Sequence, residues 1–173
     1  MKKIDKAFLL ANHAHRNQSY GIFPYSYHLT EVYRLLKSHT NDTNLLVSAI
    51  LHDILEDTDI TFEQVEKYFG TKVAKIVDAV SDGEGNNRKE RKESMYRKLE
   101  GFADAIIIKL VDRICNINNC IADDNKHKLK MYIDEHSRFS KAIEWKLCEP
   151  SLLTDLLFLY KQKISEGKLC LER

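Results

Sequence analysis

Only two prolines and six glycines occur in the 173 residues, so little in the chain interrupts a helix. Long hydrophobic runs are missing too. No stretch approaches the roughly 18 consecutive apolar residues of a membrane span. The first fifteen residues, MKKIDKAFLLANHAH, carry a short apolar patch broken by polar residues rather than a signal-peptide core. Charge of one sign is also absent: 27 Lys and Arg stand against 26 Asp and Glu. That balance leaves no strong field for nucleic acid or an acidic membrane, and neither is expected as a partner. Cys115, Cys120, Cys148 and Cys170 are scattered without the C-x-x-C spacing of a zinc or redox site. Two of them fall on apolar helix faces, and all four are expected to be reduced thiols in a soluble, cytoplasmic protein. The sequence says nothing about oligomeric state.

What is present is Leu, Ile and long helical periodicity, which points to an all-α fold. A chain of this length normally forms one domain with a sizeable core, so residues 1–173 are expected to form a single domain. The central stretch is Leu45–Asp59, LLVSAILHDILEDTD. Its first ten residues read as one helix, apolar almost all round and hence buried on every side. Into it fall His52, Asp53, Glu56 and Asp57, within an arc of roughly 140° on a continuous helix. Three carboxylates and an imidazole against an apolar helix need positive compensation, which a divalent metal supplies. The plainer alternative is a helix end emerging into water with surface acids.

Around that stretch the spacing predicts helices over 4–17, about 26–38, a short one from the Thr61–Gln64 capping box to Gly70, and another from Thr71. Gly21 and Pro24 break the chain between the first two, and Thr43 is the expected cap of the central helix. The loop-like SDGEGNN (81–87) leads into a charged helix headed by Arg88, Lys89, Arg91 and Lys92. That basic cluster is either a solvated face paired with Glu90 and Glu93 or a phosphate-attracting arm. Residues 102–120 form a second informative helix. Its Lys109, Asp112, Asn116 and Asn119 make one narrow polar seam suited to a cavity wall. A long amphipathic helix with Tyr132, Phe139 and Trp145 follows over 126–147. Pro150 opens a last helix, with the tail GKLCLER expected to fray.

If His28, His52, Asp53 and Asp112 converge, two imidazoles and two carboxylates suit Mn²⁺, Fe²⁺ or Zn²⁺ better than Ca²⁺. Glu56 and Asp57, one turn on, stand where a general base or water-positioning group is needed. The chemistry is then hydrolysis of a phosphoester or phosphoanhydride.

PYSYH (24–28), LHDILEDTDIT (51–61), FG (69–70) and KLVDRICNI (109–117) resemble, in order, the motifs of the HD-domain hydrolases of the RelA/SpoT family, and the small stand-alone alarmone hydrolases most of all. The resemblance spans roughly residues 7 to 120 and continues weakly into the helix from 126. It implies a single HD-domain helical bundle, with the C-terminal helices over 126–165. It also implies one Mn²⁺ on His28, His52, Asp53 and Asp112, an attacking water oriented by Glu56 and Asp57, and Asn116 against a phosphorylated nucleotide. The implied reaction removes the 3′-pyrophosphate of guanosine 3′,5′-bis(diphosphate), (p)ppGpp.

One departure stands out. The family carries an Arg-Lys pair just before the Pro-Tyr, where this chain has Gln18-Ser-Tyr-Gly-Ile-Phe-Pro24. Tyr20 is expected to stack on a base there. Arg88, Lys89, Arg91 and Lys92, similar to a NRKERK stretch of some stand-alone HD proteins, are expected to restore the missing charge. Two alternatives stay open: an HD phosphohydrolase acting on another phosphorylated nucleotide, and a non-catalytic nucleotide sensor.

Overall fold

The computed structural model describes residues 1–143 and 151–172. In chain order the elements are α1 (Lys3–Ala14), a hairpin of β1 (Ser19–Tyr20) and β2 (Phe23–Pro24), α2 (Ser26–Lys37), α3 (Thr43–Leu51), α4 (Ile54–Asp57), α5 (Phe62–Phe69), α6 (Thr71–Val80), α7 (Arg88–Leu99), α8 (Ala103–Ala122), α9 (Lys126–Ile143) and α10 (Ser151–Leu171). The expected all-α architecture is what the chain adopts, apart from that antiparallel hairpin, which pairs Ser19 with Pro24 and Tyr20 with Phe23. Gly21, at φ 62°, supplies the left-handed turn residue the hairpin needs.

Two helices organise the rest. Every residue of α3 from Leu45 to Leu51 is buried, as its all-round apolar sequence requires. It packs against α1, α2, α6 and α8. The long α8 is buried from Ala105 to Cys115 and again at Ile117 and Cys120, and packs against α2, α6, α9 and α10. Among the described residues Cys115 and Cys120 are buried thiols. No helix among the described residues is long and apolar enough to cross a membrane.

The capping box at Thr61 and Gln64 forms as the sequence predicts. Four expectations need correction. The central helix is not continuous through residue 54: α3 ends at Leu51, and Asp53 (φ −100°, ψ 0°) starts the separate α4. On an unbroken helix His52 and Asp53 would diverge by about 100°; the break lets both side chains enter one cluster. Asp42, not Thr43, caps α3, accepting from the amides of Asn44 and Leu45. The first helix stops at Ala14 rather than 17. The tail does not fray before Leu171, because Gly167 lies against Leu129 and Ile133 of α9 and holds the end of α10 to the bundle. Trp145, Cys148, Pro150 and the 144–147 end of the long amphipathic helix lie outside the described residues.

Candidate active site

Four side chains from α2, α8 and the α3–α4 break meet in the interior. The Nε2 atoms of His28 and His52 are 3.3 Å apart. Asp53 Oδ2 lies 2.8 Å from His52 Nε2 and 3.9 Å from His28 Nε2. Asp112 Oδ1 lies 3.2 Å from His28 Nε2 and 3.6 Å from His52 Nε2. Ligand atoms of His28, His52 and Asp53 all fall within 4.8 Å of one another, a grouping able to hold a metal ion. Asp112 adjoins that trio and is also held by its own helix: Lys109 Nζ sits 3.1 Å from Oδ2, and Asn116 Nδ2 donates to Oδ1.

The donor set fits a divalent cation. His52 Nδ1 donates to the Ala49 carbonyl at 2.8 Å, which turns the Nε2 lone pair of the neutral ring toward the cluster, as metal-binding histidines are oriented. The electrostatics show where positive charge is wanted. Burial disfavours a charged His52, yet the carboxylates of Asp53 and Asp112 outweigh it and push the imidazole up to about 10. Burial likewise opposes the charged form of Asp112, but Lys109 and the two histidines hold its carboxyl well below the usual range. Two carboxylates, Asp112 buried and Asp53 partly so, facing two imidazoles favour positive charge between them.

The acidic pair lines the same cavity, which measures about 170 Å³. Glu56 Oε2 accepts the main-chain amide of Asp82 at 2.9 Å. The Tyr25 hydroxyl donates to Asp53 Oδ2, and Asp57 Oδ2 lies 3.3 Å from the same hydroxyl oxygen. Burial and the neighbouring Asp53 raise the Asp57 carboxyl above its ordinary value. His15 stacks behind Tyr25 at 4.6 Å and hydrogen-bonds Gln18.

The cavity lining is also cationic. Arg88, Lys92, Lys109 and Arg113 all face the cavity. Of the basic cluster at the head of α7, therefore, Arg88 and Lys92 reach it. Lys89 stays exposed beside Glu93 at 4.0 Å, and Arg91 Nε turns to Asp82 at 3.4 Å. Lys109 is buried rather than a free cation. The carboxylates of Asp112, Asp53 and Glu56 overcome its burial and raise it above its ordinary value. Tyr20 enters the cavity with its ring stacked on His28 at 4.6 Å and 8°, and its hydroxyl donates to Asn116 Oδ1 at 2.8 Å. A second recess of about 250 Å³ opens beyond Tyr20, lined by Ser19, Asn119, Asp123 and Lys128 among others.

Several members of the site escape sequence reasoning. Tyr25 belongs to PYSYH but is silent without the position of Asp53. Asp82 sits in an unremarkable loop. Arg113 had a signal, a second cation inside the apolar run IIIKLVDRICNI. It is 5% exposed, donates to Glu135 and lies over the ring of Phe139.

A family model described as HD domain matches residues 7–136. The chain belongs to the HD-domain family. Among its curated HD relatives is the guanosine-3′,5′-bis(diphosphate) 3′-pyrophosphohydrolase of Vibrio cholerae, 30% identical over 139 residues, which cover 75% of this chain and 20% of that protein. The zebrafish protein of the same name, MESH1, is 31% identical over 139 residues, covering 75% of this chain and 77% of its own length. This HD chain thus spans about a fifth of the bacterial relative but most of the zebrafish one. A solved structure described as a metazoan ortholog of SpoT that hydrolyses ppGpp superposes with a TM-score of 0.70 at 25% identity, over 94% of this chain and 96% of the other.

Proposed function

We propose that this HD protein is a Mn²⁺-dependent pyrophosphohydrolase that removes the 3′-pyrophosphate of guanosine 3′,5′-bis(diphosphate). The observation that carries the reading is the meeting of the His28, His52, Asp53 and Asp112 ligand atoms in a cavity that the Glu56–Asp57 pair and four cations also line. The printed names of the bacterial and zebrafish relatives favour the same reaction. The same reading treats residues 1–173 as one HD domain, since α9 and α10 pack directly on α8.

His28, His52, Asp53 and Asp112 would hold the cation. When bound, it lends Lewis acidity to the phosphorus centre and acidifies a water. The remaining work falls to side chains of this chain. Glu56 uses Oε2 to accept from Asp82, which leaves Oε1 to accept a proton from the attacking water. Asp57, whose Oδ2 lies 3.3 Å from the Tyr25 hydroxyl, fixes the direction of that water. Arg88 and Lys92 receive the negative charge of the leaving pyrophosphate. Asn116 and Tyr20, hydrogen-bonded to each other, close the cavity on the nucleoside side.

A second substrate is favoured by one specific feature. Tyr20 and Gly21 stand where the family has its Arg-Lys pair, so another nucleotide with a 2′- or 3′-phosphate is the competing choice. The deciding experiment incubates the protein, stripped by chelator and reloaded with Mn²⁺, with a panel of phosphorylated nucleotides including ppGpp. Pyrophosphate released from ppGpp, lost on chelation and restored by Mn²⁺, supports the reading. No release from ppGpp under metal add-back overturns it, and faster turnover of a different nucleotide moves the assignment to that substrate.

A further inference from the structure

Residues 81–87 join α6 to α7 beside the catalytic wall. Taking Glu56 as the water-activating acid, we propose that this loop is a positioning strap whose residue Asp82 aims Glu56 with its main-chain amide while tying it to the cationic helix α7 with its carboxylate. The inference rests on the hydrolase reading for the role of Glu56, but the strap itself is a matter of geometry.

Glu56 needs such a hold. It is an exposed residue on the four-residue helix α4, and a glutamate on so short a support has several free rotors. Among the described residues, the hydrogen bond that fixes its carboxylate comes from the Asp82 amide, at 2.9 Å. Asp82 is itself fixed from the other side. Its carboxylate pairs with Lys92 through Oδ1 and with Arg91 through Oδ2, the latter at 3.4 Å. One residue thus connects the acid that would activate water to a cation that lines the cavity.

The loop lies directly on α7. The Gly83 amide donates to the Arg91 carbonyl at 3.3 Å, the Asn86 amide donates to Glu90 at 2.8 Å, and Asn87 caps α7 through the Glu90 amide at 3.0 Å. Both loop glycines are there for clearance. A Cβ on Gly83 would collide with Cβ and Oγ of Ser94, and one on Gly85 would come within 2.6 Å of Glu90 Cβ and 2.7 Å of the Arg91 amide nitrogen. A side chain at Gly83 therefore lifts the strap off α7 and carries the Asp82 amide with it. Lys92 and Arg91 belong to α7 and stay where they are.

The test is a clash-and-rescue cycle read in the Mn²⁺-loaded full chain. Gly83→Ala is expected to lower kcat by about 10–100-fold, the range for misplacing a positioned group, with KM changing by less than about 3-fold. Ser94→Gly removes the two colliding side-chain atoms and leaves the residue-94 carbonyl carbon at 3.1 Å; alone it should turn over like wild type, and with Gly83→Ala it should restore most of the lost kcat. Thermal melts of each variant separate misfolding from misplacement. Wild-type kcat in Gly83→Ala, or a double variant no faster than Gly83→Ala, overturns the proposal. A second arm needs no turnover. The amide of Asp82, followed by NMR hydrogen exchange, should exchange slowly in wild type and faster in Glu56→Ala. Equal rates sink the strap even if hydrolysis is robust, whereas a protected amide in a protein inert toward ppGpp sinks the hydrolase reading and leaves the strap standing.

Discussion

His28 and His52 aim their Nε2 atoms at each other across 3.3 Å. His52 spends its Nδ1 proton on the Ala49 carbonyl, and the Nδ1 of His28 is buried with no partner among the described residues. Two ring nitrogens facing two carboxylates at that spacing suit a positive centre. A cation held there would couple its binding to the packing of α2, α3 and α8, the three helices that bring the cluster together.

Chelation should accordingly lower the melting temperature. A cation at a thousand times its dissociation constant stabilises by about 4 kcal/mol, and stripping it removes that contribution. His28→Ala and Asp53→Asn should melt at the same temperature with and without Mn²⁺. Elemental analysis after dialysis should find them empty. Full occupancy in either variant would refute the ligand assignment.

Glu56→Gln and Asp57→Asn probe the acid pair without touching those ligands. Each should reduce kcat by roughly 10²–10⁴-fold, the usual contribution of a positioned acid–base group, while metal content stays at the wild-type level. A variant that loses activity together with its metal would show that the carboxylate acts through the cation cluster instead.

Much of this was legible in the chain because burial and charge conflict at a few positions. An acid such as Asp112 between Ile108 and Cys115 cannot be explained by amphipathic packing, so the polar seam of α8 pointed inward correctly. The break after Leu51 was not legible. LLVSAILHDILED holds no Gly or Pro, and the weaker helix formers His52 and Asp53 do not by themselves mark a break; the turn there accompanies two side chains that face the same cluster. The basic run 88–92 was legible only as a cluster. Which of its members face the cavity depends on Asp82 and Glu135, carboxylates 10 residues before Lys92 and 47 after Arg88, and no local pattern carries that information. The two glycines of the 81–87 loop read simply as flexible residues, although both are there because α7 lies against them.

Tyr20→Phe tests the nucleoside side. Removing the hydroxyl leaves Asn116 Oδ1 without its donor at 2.8 Å, a loss of about 1 kcal/mol for a hydrogen bond of this kind. KM for ppGpp should rise by roughly 5-fold while kcat is nearly unchanged, since the ring still stacks on His28. A fall in kcat with KM constant would place the Tyr20 hydroxyl with the reacting groups rather than with substrate binding.

Glu135 offers a prediction in pH. Its carboxylate accepts from Arg88 Nε at 2.8 Å and from Arg113 Nη1 at 3.2 Å, joining α7, α8 and α9. Burial alone would raise its pKa, but the two guanidinium groups outweigh that and hold it below the ordinary 4.5. A carboxylate with a depressed folded-state pKa contributes stability that is fully present above the unfolded value and is lost as pH falls through the folded one. Glu135→Gln, which leaves the 5%-exposed Arg113 without its counter-charge, should cost about 3 kcal/mol at pH 7, or roughly 6–12 °C in melting temperature. The gap between wild type and Glu135→Gln should hold from neutral pH down to about 5 and close as the pH drops further, because the wild-type carboxylate then protonates and its advantage disappears. Melting curves of both proteins from pH 7 to pH 3 measure this directly. A gap that stays constant across that range would mean the ion pairs contribute nothing and that the glutamine variant is destabilised by packing alone.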